Sequence, residues 1–563
     1  MARSSRRAAP RRGQRPVRHL SEAALRERTR RTRLHRRGRN LILLIVFLGL
    51  FALGFNRVVA YEDGVTRVTF TVQGTLPVPV LEMRPASGET SLVAVIAHGF
   101  SGSKDLMTGF GVELARAGVT TYLFDFPGHG ESPIALAGDL TSQQNAQNNI
   151  TALGEVVDYM RTHNSATPTP NIVLLGHSMG SAAVGDYAIA RASDSHIVAT
   201  ILVSPVGQEQ PTATQPRNLL LLVGQNDIPY IIVNNTRLLK LGCNFSANPQ
   251  TLPAECGSPL HGTGRRAVEI PTANHITILN TATTFSSMLD WLHRAYPQQV
   301  NTGHMDANTR NAWLLLGVAG ILLAMFPLCS LIIDMFDINI APRAFRGQDV
   351  LFFDLCAVLA ILLTLGIQYM WRPFGFVQVL LGDYVSGYFF FIALLMAVGI
   401  FVIRRMLPIP LMRQVIGQVV VGLVLGAILY FTLGQLATFA WQRFTFTPPR
   451  LWRFAIVFVL ILPLFLLDEG INRGWQELGV MRGAIASLGF KVLLIVGLFA
   501  ATRFTPGVDF LSIVLPVLAL VFLLLVAFGT QIYASGRAAI AGATLSAFVV
   551  AWAMTTTFPI TLS

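Results

Sequence analysis

The hydrophobic and polar positions divide the chain into segments of two kinds. Residues 41–60 form one apolar stretch, and from about residue 312 onward the chain is almost continuously apolar. A run of about 20 apolar residues is long enough to cross a bilayer as a helix. Eight further spans are predicted at about 312–333, 350–370, 376–403, 414–440, 453–468, 484–502, 508–530 and 538–557. We therefore expect nine membrane crossings.

The segment between these regions alternates short apolar runs with amphipathic stretches, and Gly and Pro punctuate it. Short apolar runs are typical of strands, and longer amphipathic stretches are typical of helices. Strands are predicted at 67–72, 78–83, 92–97, 119–124, 171–175, 197–203, 219–223 and 267–270. Helices are predicted at about 106–117, 142–163, 181–192, 229–241 and 282–295. This alternation predicts an α/β domain with a mostly parallel eight-stranded sheet and flanking helices.

Composition supports a membrane protein and locates the charge. Hydrophobic residues make up 52% of the chain and charged residues 13%, which excludes an ordinary soluble protein. The net charge of +13 lies entirely in residues 1–40, which hold fifteen arginines and two glutamates. Such a tail either binds nucleic acid or keeps the N-terminal end of the first span in the cytoplasm. The second interpretation is favoured because no aromatic residue interleaves the arginines and a span follows directly. No nucleic-acid partner is expected.

The predicted organisation has five parts. They are an Arg-rich cytoplasmic tail at 1–40, expected to be disordered; a membrane anchor at 41–60; an α/β domain at 61–300; a linker at 301–311; and an eight-helix transmembrane domain at 312–558. A cleavable signal peptide is the alternative for the first span, but the length of the basic region and of the span favours an uncleaved anchor.

Arginines near the ends of the spans indicate the orientation. With the tail in the cytoplasm, eight loop arginines lie on the cytoplasmic side: Arg343, Arg346, Arg404, Arg405, Arg413, Arg473, Arg482 and Arg537. Five lie on the other side: Arg372, Arg443, Arg450, Arg453 and Arg503. The bias predicts an integral, multi-pass membrane protein with a cytoplasmic N-terminus and an extracytoplasmic α/β domain. There Cys243 and Cys256 are either a disulfide or two unrelated thiols.

The clearest sign of chemistry is Gly176-His177-Ser178-Met179-Gly180, which follows an apolar strand and precedes small residues that open a helix. A sharp strand-to-helix turn exposes a serine hydroxyl as a nucleophile, and it tolerates only tiny neighbours. A five-residue match is weak by itself in a chain with 48 glycines. The surrounding sequence must therefore supply a base and an acid.

An acid and a base follow in the expected order of serine, aspartate and histidine. Asp227 ends the apolar run 219–223 in a polar loop, and His275 follows the last predicted strand. His275 would act as general base toward Ser178, and Asp227 would orient its ring. The alternatives are that Asp227 only caps the next helix and that His261, in a Gly-rich loop, is the base.

Two further motifs complete a resemblance. His98-Gly99-Phe100 follows one strand, and Asp125-Phe126-Pro127-Gly128-His129-Gly130-Glu131-Ser132 follows the next. Over residues 75–297 the chain resembles the α/β-hydrolase superfamily, in its serine aminopeptidase, monoacylglycerol lipase and cinnamoyl esterase-like branch. The resemblance implies that the backbone N–H groups of Phe100 and Met179 form an oxyanion hole.

The other members of these motifs have structural interpretations. His98, His129 and His177 are expected to brace loops rather than titrate in catalysis, and Asp125 is expected to hold its own turn. Many relatives insert a cap before the acid, whereas here only residues 204–218 separate the two strands. We therefore expect an uncapped site.

These observations predict a membrane-bound serine hydrolase that forms an acyl-enzyme and cleaves carboxylic esters, with lipid-like esters as candidates. Its partners would be the bilayer and an ester or acyl substrate, and membrane lipids are candidates for that substrate. A serine peptidase or an acyltransferase would use the same triad, and a transporter or receptor with a ligand-binding hydrolase-like domain is a further alternative. No cofactor is expected, and no metal site is expected because H-E-x-x-H is absent. Asp354, Asp383 and Lys491 are ionisable residues within predicted spans, and they indicate no chemistry by themselves.

Overall fold

One sheet organises the first half of the chain in the computed structural model, which describes residues 22–138, 142–245, 255–302, 309–340, 347–404 and 412–562. The sheet order is β1-β2-β4-β3-β5-β6-β7-β9-β8. The strands are β1 Val65–Val72, β2 Val78–Pro85, β3 Leu92–Ala97, β4 Thr120–Phe124, β5 Asn171–His177, β6 Ile197–Val203, β7 Leu219–Gly224, β8 Glu255–Cys256 and β9 Arg265–Ile270. All eight predicted strands are present. The ninth, β8, has two residues, too few to leave a periodic signal.

The central strands are buried on both faces, as continuous apolar runs in a parallel sheet require. Strands β4, β3, β5, β6, β7 and β9 pair in parallel, while β1, β2 and β8 pair antiparallel at the two edges. The helices of this domain are α2 Thr108–Arg116, α3 Gln143–His163, α4 Met179–Ala190, α5 Pro229–Gly242 and α6 Ala282–Ala295. Helices α2 and α6 pack on one face, and α3, α4 and α5 pack on the other. A disulfide joins Cys243 to Cys256, which decides the alternative left open above.

The remaining helices form the membrane domain. They are α1 Glu22–Tyr61, α7 Thr309–Met335, α8 Gly347–Met370, α9 Gly382–Arg404, α10 Met412–Leu429, α11 Gln435–Ala440, α12 Pro448–Gln476, α13 Val480–Phe504, α14 Leu511–Gly536 and α15 Ala539–Thr557. A π-helical turn, Tyr430–Gly434, joins α10 to α11. Within the described ranges, nine helical segments are long and apolar enough to cross a membrane, which is the predicted number.

The first helix differs from its prediction in one respect. Helix α1 begins at Glu22, so residues 22–40 of the tail expected to be disordered are helical. Leu, Arg and Glu are good helix formers, and the apolar span that follows extends the same helix. Residues 1–21 of the tail and residues 303–308 of the predicted linker lie outside the described residues.

Two ion pairs are buried inside the membrane domain. Lys491 on α13 forms an ion pair with Asp468 on α12, and both side chains are at most 1% exposed. Glu469 accepts a 2.7 Å hydrogen bond from Arg473 one turn further along α12. Pairing of this kind offsets the cost of burying a charge away from water. The sequence pointed to Lys491 but not to its partner.

The two halves of the molecule are joined by buried polar contacts. Arg450, near the start of α12, donates hydrogen bonds to the carbonyl oxygens of Gly128 at 3.0 Å and Gly130 at 3.2 Å. The same guanidinium donates to the carbonyl oxygens of Thr555 and Phe558 at the end of α15. One fully buried cation thus links a loop of the α/β domain to two membrane helices.

Candidate active site

Ser178 lies at a strained turn between β5 and α4. Its backbone has φ 52° and ψ −119°, a conformation that non-glycine residues rarely adopt. A Cβ atom at Gly176 would lie 2.2 Å from the carbonyl oxygen of Gly180, and one at Gly180 would lie 2.5 Å from that of His98. The two glycines are therefore sterically required, as the motif predicts.

The structure brings Ser178, His275 and Asp227 into one hydrogen-bonded line. Ser178 Oγ lies 2.9 Å from Nε2 of His275, and Nδ1 of His275 lies 2.9 Å from Oδ1 of Asp227. Because a carboxylate only accepts, Nδ1 carries the proton and Nε2 accepts from the serine hydroxyl. His261, the alternative base, is exposed and bonds to Ser258 instead.

Asp227 is held as a carboxylate by three donors. Burial alone would raise the pKa of this carboxyl group, but hydrogen bonds from His275, from Ser204 Oγ at 2.6 Å and from the Ile228 N–H at 2.7 Å lower it below its ordinary value. Ser204 follows β6 and was not identified from the sequence. A serine that follows a buried strand does not by itself indicate a hydrogen bond to the acid, because that bond depends on which strand lies next to it.

Phe100 and Met179, the residues implied for the oxyanion hole, both line the cavity beside Ser178. Met179 is the first residue of α4, so its N–H has no acceptor within the helix and lies at the positive end of the helix dipole. Both residues are thus next to the nucleophile, where an oxyanion would form.

The cavity beside Ser178 is lined in part by the membrane domain, a contribution that the prediction of an uncapped site did not include. It has a volume of about 390 Å³, and Phe510 and Ile513 at the start of α14 form part of its wall. The rings of Phe510 and Phe100 lie 5.2 Å apart between centroids. The remaining wall is mainly apolar and includes Leu106, Ala146, Ile150, Ala182, Ala183, Val206, Ile228, Tyr230 and Ile276.

The membrane domain also contacts the loop that follows Phe100. Gln442 Nε2 donates to the carbonyl oxygen of Ser101 at 2.9 Å, and Arg443 Nε donates to Asp105 at 3.0 Å. Ser101 has φ 58°, so the loop turns sharply directly after the implied oxyanion donor. These contacts tie the loop to the segment between α11 and α12, and no sequence pattern pointed to them.

The remaining motif histidines are buried and neutral. Nδ1 of His98 donates to the carbonyl oxygen of Gly99 at 2.8 Å, and Nε2 accepts from the Phe126 N–H at 3.1 Å. Nε2 of His177 donates to the carbonyl oxygen of His275 at 3.0 Å. Burial lowers the pKa of His98, and it lowers the pKa of His129 and His177 to about 3. The bracing role predicted for these residues agrees with these contacts.

Burial of neutral histidines makes stability depend on pH. Because the pKa of His129 falls from 6.5 to about 3 on folding, its contribution is fully present above pH 6.5 and is lost as pH falls toward 3. His129→Asn keeps a donor for the Pro127 carbonyl oxygen, which Nδ1 contacts at 2.9 Å, but does not titrate. Below pH 6.5 the free energy of unfolding of His129→Asn should then fall less steeply than that of the wild type. The two slopes should differ by about 1.4 kcal/mol per pH unit.

Urea unfolding of the full chain in micelles at pH 7, 6 and 5 measures this slope. His163→Asn, at an exposed position on α3, is the control and should leave the slope unchanged. Equal slopes for His129→Asn and the wild type would contradict the prediction.

A mostly parallel sheet with Ser178 at the turn between β5 and α4, and with Asp227 and His275 after β7 and β9, is the α/β-hydrolase fold. Residues 88–251 match the family Hydrolase_4, described as serine aminopeptidase, S33, over less than a third of the chain. The predicted resemblance to the α/β-hydrolase superfamily is confirmed, and the chain carries a helical membrane domain in addition.

Several solved structures are similar to part of this chain. A CIB-like hydrolase from Thermoplasma acidophilum has 16% identity and a TM-score of 0.30, with 41% of this chain and 99% of that chain covered. A cold-adapted esterase from an Arctic intertidal metagenomic library has 15% identity and a TM-score of 0.29, with 42% and 96% covered. A carboxylesterase from Bacillus subtilis has 12% identity and a TM-score of 0.29, with 43% and 96% covered. None of the curated proteins matches the sequence.

Proposed function

We propose that this protein is a membrane-bound serine hydrolase that cleaves carboxylic esters through an acyl-enzyme. One observation carries the proposal: the continuous line from Ser178 Oγ through His275 to Asp227, with 2.9 Å at each step. A domain that only binds ligand has no need for a strained serine, an imidazole and a buried carboxylate in this order. The transporter or receptor alternative does not explain that arrangement.

The mechanism proposed for these residues has two stages. As Ser178 Oγ attacks the ester carbonyl carbon, His275 Nε2 takes the hydroxyl proton, and the N–H groups of Phe100 and Met179 stabilise the negative oxygen. The intermediate then expels the alcohol, which receives that proton from His275 and leaves an acyl-serine. Water attacks the acyl-serine with His275 again as base, and the carboxylic acid and free serine are released. Asp227 stabilises the imidazolium formed in each stage.

A serine peptidase is the second candidate, and one observation favours it. Asp186 lines the cavity, where a carboxylate would suit the free amino group of a peptide or an aminoacyl amide. The largely apolar wall favours an ester with a hydrocarbon acyl group instead. Hydrolysis of a matched acyl ester and aminoacyl amide by the same preparation distinguishes the two.

Covalent labelling tests the proposal. A fluorophosphonate probe should label the full chain in membranes, and Ser178→Ala should abolish the labelling because the probe reacts with an activated serine. Ser286→Ala, at a partly exposed position on α6, is the matched control and should be labelled like the wild type. Equal labelling of Ser178→Ala and the wild type would overturn the proposal.

A further inference from the structure

The acyl cavity is built from both halves of the molecule. Ile513 lies in the first turn of α14, a membrane-spanning helix, and it lines the same cavity as Ser178. Phe510, one residue before the helix, lines it as well and is 37% exposed. The wall of the site therefore begins where a transmembrane helix begins.

The face of α14 that lines the cavity continues along the surface of the membrane domain. Ile513, Val517 and Leu520 are separated by four and three residues, so their side chains lie above one another on one helix face. Val517 is 51% exposed and Leu520 is 58% exposed, as side chains that face lipid are. One continuous apolar face thus connects the lipid-facing surface to the cavity.

Other apolar residues of the cavity wall are exposed as well. Tyr230 on α5 is 57% exposed, and Ile276, directly after His275, is 36% exposed. Val233, one turn further along α5, is 68% exposed. Clusters of exposed apolar side chains around a pocket are typical of sites that bind an apolar ligand or a membrane.

We propose that the acyl chain of a bilayer amphiphile enters the cavity from within the membrane, along the face of α14 formed by Phe510, Ile513, Val517 and Leu520. The inference rests on the function proposed above and names its substrate class, esters whose long acyl chain is dissolved in the bilayer. From Phe510 to Leu520 the helix rises about 15 Å, half of a hydrocarbon core of about 30 Å. The face therefore extends to the depth that one leaflet's chains occupy.

Ile513 is then a specificity-determining residue that acts on long chains. Ile513→Trp would fill the entrance without adding a charge, since overfilling a packed apolar site is unfavourable. For 4-methylumbelliferyl palmitate in phosphatidylcholine vesicles, kcat/KM should fall about tenfold or more. For the soluble 4-methylumbelliferyl acetate, kcat/KM should fall much less, because an acetyl group has no long chain that must pass the entrance. Both substrates release the same fluorophore, so their ratio isolates the acyl chain.

Two further variants complete the experiment, with the full chain in vesicles throughout. Val496→Trp, at a 58% exposed position on α13, is the matched control and should leave both rates unchanged. Ile513→Ala widens the entrance and should raise the palmitate-to-acetate ratio, so a folding defect in Ile513→Trp does not remove the test. An unchanged ratio in both Ile513 variants, with acetate hydrolysis that still requires Ser178, overturns this inference alone. If neither ester is hydrolysed in a Ser178-dependent way, the proposed function is overturned, and this inference is overturned with it.

Discussion

Replacing His275 with alanine is expected to lower kcat for ester hydrolysis by about 10⁶-fold, and adding Ser178→Ala to that variant is expected to cost almost nothing more. The reason is that the two side chains act as one unit: Oγ attacks only as Nε2, 2.9 Å away, removes its proton. Asp227→Asn should cost less, about 10⁴-fold, because serine and imidazole stay in place while the ring loses its orienting carboxylate.

Single-turnover hydrolysis of a chromogenic short-chain ester by the full chain in vesicles measures these losses. His163→Ala, on the exposed end of α3, is the control and should keep wild-type activity. If the effects of His275→Ala and Ser178→Ala multiply in the double variant, the two residues act independently and the triad assignment fails.

The second large effect is expected on stability, at Lys104. Its ammonium group lies 2.6 Å from Asp125 and 2.6 Å from Glu131, and the Lys104 and Asp125 side chains are at most 1% exposed. Burial alone would lower the pKa of Lys104 and raise that of Asp125. Mutual attraction reverses both shifts, and the pKa of Asp125 falls to about 2. Lys104→Met leaves that carboxylate buried without its cation, which should cost about 3–5 kcal/mol of unfolding free energy.

Urea unfolding followed by tryptophan fluorescence measures the loss at Lys104, because Trp291 is fully buried in the core of the hydrolase domain. Arg266→Met is the matched control, since its ion pair with Asp290 is partly exposed to solvent and should contribute at most about 1 kcal/mol. The double variant Lys104→Met/Asp125→Asn should recover part of the loss by removing the unpaired charge. A Lys104→Met variant as stable as Arg266→Met would contradict the prediction.

The arrangement of Ser178, Asp227 and His275 could be predicted from the sequence because it depends on local order. Each residue follows a strand of the same parallel sheet, and the carboxyl ends of parallel strands lie at one edge. The apolar runs located those strands. The order of serine, aspartate and histidine along the chain then indicated the role of each residue. Ser204 was missed because its role depends on β6 and β7 being neighbours in the sheet. Apolar runs predict strands but do not predict which strands pair.

The contribution of the membrane domain to the cavity wall could not be predicted. Phe510 and Ile513 are more than 300 residues from Ser178 along the chain, and they lie at the start of an apolar helix that resembles the other spans. Hydropathy reports that a side chain avoids water, but lipid, a protein core and an enzyme pocket are equally apolar. For the same reason the sequence could count the spans and could not show which of them contacts the hydrolase domain.

The contacts between the two halves would be lost in a fragment that contains the hydrolase domain without the membrane domain. Glu62 is buried against Arg310 of α7 at 3.0 Å, and Asp105 is buried against Arg443 at 3.0 Å. A fragment ending near residue 300 would keep both carboxylates and lose both cations, together with the Phe510 wall of the pocket. An excised hydrolase domain would thus lack these two cations and the part of the cavity wall that α14 supplies. The hydrolase domain and the membrane domain therefore build the candidate site together.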